Sequence, residues 1–97
     1  MRPGDLVTTR PIPHNEGKCY RVFDLLQREQ QVDPENYRFA RVVDKLWHGE
    51  IATVLQVTDD VGEEKAQVLT PRGLTGWLKT DLLQVVQSTR GNGRLGT

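Results

Sequence analysis

The chain has 97 residues, room for one small core but not two. Its apolar fraction is 36%, against roughly 45–50% (Gly included) in an average domain, which predicts a thin core with long polar connections. Lys plus Arg and Asp plus Glu balance at 13 each, so no bulk field draws the protein to nucleic acid or an anionic membrane, and no apolar run reaches signal-peptide or membrane-span length.

Turn chemistry at Pro3-Gly4-Asp5 precedes Leu6-Val7-Thr8-Thr9, a β-branched stretch that predicts a first strand over 5–10. Pro11, Pro13, Asn15 and Gly17 then break any regular element. Residues 18–26 read two ways: Cys19, Val22, Phe23 and Leu26 have helical spacing, whereas Tyr20-Arg21-Val22-Phe23 has strand composition. Asp33-Pro34-Glu35 would start a helix carrying Phe39, Val42, Val43, Leu46 and Trp47 on one face; the rival is a turn there and a strand over 38–43 leading into Leu46-Trp47.

From Gly49 onward the pattern is β. Ile51, Thr53, Leu55 and Val57 alternate with Ala52, Val54, Gln56 and Thr58, and Asp59-Asp60-Val61-Gly62 turns the chain into a partner strand over 65–70. Pro71-Arg72-Gly73 is a second turn, 74–79 a third strand, Thr80-Asp81-Leu82-Leu83 a short helical turn, and 84–87 a closing strand. Residues 89–97 are rich in Gly and Arg with nothing to bury, which predicts a disordered tail after one domain over 1–88.

The run Gly73-Leu74-Thr75-Gly76-Trp77-Leu78-Lys79-Thr80-Asp81-Leu82-Leu83 resembles the closing segment of bacterial SH3 domains. Gly73 would permit a positive φ at a hairpin tip, Gly76 a close backbone approach, and Leu82-Leu83 would plug a barrel end. Gly4-Asp5-Leu6-Val7 and His48-Gly49-Glu50-Ile51-Ala52-Thr53-Val54 are similar to strand starts of KOW-like small barrels, and the layout resembles that of small bacteriophage and bacterial proteins. The resemblance implies an all-β, SH3-like barrel of about five strands, with a long insertion over 11–48 after the first strand that holds at most one short helix. The tyrosine-bearing first strand, the proline and the closing tyrosine of peptide-binding SH3 domains are absent: Leu6-Val7-Thr8-Thr9, Lys79 and Leu82 stand there instead, which argues against proline-rich ligands.

The lone Cys19 excludes an internal disulfide and fits a reducing compartment, so the cytoplasm, a host's if the chain is phage-encoded, is the expected location. His14, Cys19 and His48 lack the spacing of a zinc site or a Cys-His nucleophile pair. Asp59, Asp60, Glu63 and Glu64 lack the alternation of a calcium loop and read as a solvated hairpin tip. No catalytic, cofactor or metal residues are expected. The expected role is a protein-interaction or structural module, with Tyr37, Phe39, Trp47 and Trp77 as candidate binding surface. The alternative is a nucleic-acid contact through Arg38, Arg41, Lys45, Arg90 and Arg94. Self-association stays open.

Overall fold

The computed structural model describes residues 1–11, 19–30 and 38–88. Seven strands form one antiparallel sheet: β1 (Leu6–Thr9), β2 (Cys19–Phe23), β3 (Val42–Trp47), β4 (Ala52–Asp60), β5 (Glu63–Leu69), β6 (Thr75–Lys79) and β7 (Leu83–Gln87). A one-turn helix, α1 (Gln27–Gln30), follows β2, and a 3₁₀ turn over Thr80–Leu82 joins β6 to β7. The order across the sheet is β3-β2-β6-β5-β4-β1-β7. The all-β expectation holds, but the strands among the described residues number seven, not about five. The stretch 11–48 supplies two of them, β2 and β3, rather than standing apart from the sheet. Of the ambiguous stretch, Cys19–Phe23 is strand, because Val22 and Leu46 bury completely on one face of the β2–β3 pair. The helix start expected at Asp33, and Tyr37 with it, lies outside the described residues.

The sheet curls into a half-barrel around Val7, Val22, Leu46, Ala52, Val54, Ala66, Val68, Leu78 and Leu83. Four of the nine are valines, β-branched residues that a pleated buried surface favours. Alternation predicts which face each enters, but β4 changes parity. A bulge between Val54 and Gln56 leaves Leu55 unpaired, so Ala52 and Val54 point inward before it and Val57 after it. Gly76 sits where β6 meets β2: a Cβ there would stand 2.6 Å from Val22 Cγ1 and 2.8 Å from the Phe23 carbonyl oxygen. The close approach expected of this glycine is therefore present, and so is the positive φ of Gly73 at 84°. Of the expected plug Leu82-Leu83, only Leu83 is buried; Leu82 stays partly exposed.

β3 and β7 are the two edges of the sheet. An edge strand exposes main-chain groups that invite pairing with another chain, and β3 covers its own. The Lys45 amide donates to its neighbour Asp44 Oδ1 at 2.8 Å, and the Trp47 amide to Glu50 Oε1 at 2.9 Å. The Lys45 carbonyl accepts from Arg72, whose guanidinium also grips Asp44 and Glu50. Past the end of β3, His48 Nδ1 lies 2.8 Å from the Thr9 carbonyl and the Gly49 amide donates to Thr8 Oγ1 at 3.1 Å. A carbonyl can only accept, so Nδ1 carries the proton. These bonds draw the β3 edge toward β1 without a ladder.

Candidate functional site

Sheet parity sorts the side chains that do not enter the core onto the convex face. Phe23 lies opposite Trp77 across β2 and β6, and Trp77 lies opposite Gln67 across β6 and β5. Gln67 lies opposite Gln56 on β4, and the two amides are bonded at 2.8 Å. Two residues along each strand stands a cation. Arg21 faces Lys45 across β2 and β3, and Lys65 faces Lys79 across β5 and β6. The convex face thus carries a row of four cations, Lys45, Arg21, Lys79 and Lys65, on four neighbouring strands beside a row of aromatic and amide side chains.

The segment after β2 rises over this face and forms one wall of a groove. Its inner cleft, about 180 Å³, is lined by Arg21, Phe23, Leu25, Trp77, Lys79 and Leu82, among others. A wider outer compartment of about 370 Å³ shares Phe23, Leu25, Lys65 and Lys79 with it and adds Phe39. Trp77, only 9% exposed, forms the floor, and Phe39, 72% exposed, stands at the mouth.

Asp60 holds the wall in place. The sequence reads it as part of a solvated hairpin tip, yet it is completely buried. Its carboxylate accepts from the Gln27 amide at 2.7 Å, the Arg28 amide at 2.9 Å and Lys65 Nζ at 2.8 Å. The first two are orphan donors of α1, so Asp60 at the end of β4 caps that helix. Glu29 completes the cap, its Oε1 accepting from the Leu26 amide at 2.9 Å. Burial pushes the Asp60 carboxyl upward. The Lys65 ammonium and the Arg28 and Gln27 amides outweigh it and hold the group below the ordinary carboxylate value. Asp44 behaves alike: burial raises it, while Thr70, the Lys45 amide and Arg72 bring it below the usual value. The neighbouring acids are also engaged, Glu63 with Lys79 at 3.1 Å and Glu64 with the Thr80 hydroxyl at 3.0 Å.

The expected binding residues divide. Phe39 and Trp77 share the groove. Trp47, 43% exposed, instead faces a shallow depression with Val42, Lys45 and Arg72. Of the expected nucleic-acid contacts, Arg38 pairs with Asp24 at 3.3 Å, and the Arg41 amide donates to Asp24 at 2.8 Å while its side chain is exposed. Lys45 joins the cation row, and Arg90 and Arg94 lie outside the described residues. Cys19 is half-buried and pairs with Trp47 in the β2–β3 ladder, while His14 lies outside the described residues.

Sequence reasoning missed Arg21, Phe23, Leu25, Lys65, Lys79 and Leu82. A signal was there: Arg21 and Phe23, Lys65 and Gln67, and Trp77 and Lys79 each place a cation two residues from a flat side chain. Within a strand that spacing puts both on one face.

Comparison of the chain with protein-family models, with curated proteins and with solved structures found no match. Among the described residues no helix is long and apolar enough to cross a membrane.

Proposed function

We propose that this chain is a non-catalytic binding module of SH3-like build whose groove over Phe23 and Trp77 receives a segment of a partner protein. The build is supported by the β4-β5-β6 meander, the 3₁₀ turn after β6, the return of β7 to pair with β1, and the β2–β3 hairpin between β1 and β4. The role is supported by one observation above all: an apolar groove with a large exposed aromatic at its mouth, walled by a segment that a buried carboxylate fixes in place. Pre-positioned walls lower the ordering cost of association.

A second reading, association with nucleic acid through a KOW-like face, is favoured by the cation row beside Phe23 and Trp77. It ranks second because Lys65 and Lys79 are already in ion pairs and Trp77 offers little surface for a base to stack on.

The test is capture from lysate on immobilised protein, with and without nuclease, at low and high salt. A protein retained under all four conditions and lost with Phe39→Ser supports the first reading. Nucleic acid released by high salt supports the second.

A further inference from the structure

The convex face contains two pairs of like charges set directly opposite one another, Lys65 with Lys79 and Arg21 with Lys45. Such pairs destabilise a sheet unless something lies between them. The first pair is compensated from within: Asp60 holds Lys65 at 2.8 Å and Glu63 holds Lys79 at 3.1 Å. The second has no such counterpart among the described residues, where neither the Arg21 nor the Lys45 side chain is in an ion pair. Arg21 also lines the inner cleft, so its charge borders the apolar floor.

Resting on the reading of the groove as a protein-binding site, we propose that its partner is an extended acidic segment. One bulky apolar side chain of that segment enters the cleft over Trp77, and carboxylates on alternate residues beside it meet Arg21 and then Lys45.

Charge and geometry both select this occupant. The inner cleft, about 180 Å³, has room for one large side chain. An extended chain advances about 6.8 Å every two residues. Carboxylates two and four positions from the anchor therefore point the same way and step outward from the cleft toward β3. Placed there, they set opposite charge against the Arg21–Lys45 pair. A basic segment would add to it. A nucleic-acid strand would also bring anions, but its bases would need the face of Trp77, which is 9% exposed.

The probe is a fluorescein-labelled peptide with one central phenylalanine flanked by glutamates on alternate residues, followed by fluorescence anisotropy against the full chain. Its counterparts carry glutamine or lysine in place of glutamate, and a single-stranded oligonucleotide is measured beside them. The acidic peptide is expected to bind about tenfold or more tighter than the glutamine peptide at low salt, with the gap narrowing at high salt. The double variant Arg21→Glu with Lys45→Glu is expected to reverse the order and prefer the lysine peptide, a gain that a misfolded variant cannot show. Equal binding of the acidic and glutamine peptides overturns the inference but leaves the groove as a protein-binding site. Tight binding of the oligonucleotide with no peptide binding overturns both.

Discussion

Replacing Asp60 with asparagine keeps the shape of the side chain beneath α1 and removes its charge. In the native protein Oδ2 accepts from the Gln27 amide and Lys65 Nζ, and Oδ1 accepts from the Arg28 amide. An amide side chain has one accepting oxygen, so its NH₂ group must face at least one buried donor. An orphaned buried donor costs about 1–3 kcal/mol, and each remaining bond loses charge assistance worth about 1 kcal/mol. With two bonds remaining the sum is at least about 3 kcal/mol, the low end of the roughly 3–5 kcal/mol seen when one partner of a buried ion pair is removed. In a domain of this size that lowers Tm by about 12–24 °C. The pH dependence has a definite sign. The folded carboxyl titrates below its ordinary 3.8, so its contribution is complete above that value and is lost as pH falls through the folded value. The gap between wild type and D60N, measured by urea unfolding followed by tryptophan fluorescence, should be full at neutral pH and close in acid. A penalty under about 0.5 kcal/mol, or one that does not change with pH, would refute the capping argument.

Three further outcomes are expected. Gly76→Ala places a Cβ 2.6 Å from Val22 Cγ1 and 2.8 Å from a main-chain oxygen of β2 that cannot rotate away, so urea unfolding should show a loss of about 1–3 kcal/mol or more; an unchanged midpoint would mean that β2 and β6 separate freely. Val61 has a φ of 53° in the two-residue turn between β4 and β5, a conformation that β-branched residues resist, so Val61→Asn should raise stability by about 1 kcal/mol, read as a higher Tm. Arg72→Ala frees the β3 edge and should make the protein self-associate in sedimentation velocity. Hydrogen bonds from Arg72 and the Trp47 amide hold Glu50 below the usual value, and Asp44 is held low as well, so the stability gap to wild type should be full at neutral pH and close as acid protonates both. A gap independent of pH would place the role of Arg72 elsewhere.

Much of the second half of the fold was legible because its signals are local. Alternation over 51–58, the Val61-Gly62 and Pro71-Arg72-Gly73 turns, and Gly76 each constrain the backbone within a few residues. In the first half β1 was legible as well, but 19–23 and 42–47 are too short to separate strand from helix by period. Their state is decided by burial against β6 and against one another. Nor could alternation show that β4 changes face at Leu55, since a bulge moves parity without altering composition.

The site shows the same division more sharply. Once 19–23 and 75–79 are strands, two-residue spacing puts Arg21 with Phe23 and Trp77 with Lys79 on common faces, but the state of 19–23 was open in the sequence. Only the strand order β3-β2-β6-β5 aligns them into one cation row and one apolar floor, because register between distant strands depends on contacts that no local pattern encodes. Asp60 is the clearest case. By sequence it belongs to an acidic turn bound for water; in the fold, amides from residues 27 and 28 and the ammonium of Lys65 converge on it and keep it buried and charged. The sequence by itself determined a β-rich chain with its turns. The tertiary structure decided which faces meet, and so where the groove lies and which charges line it.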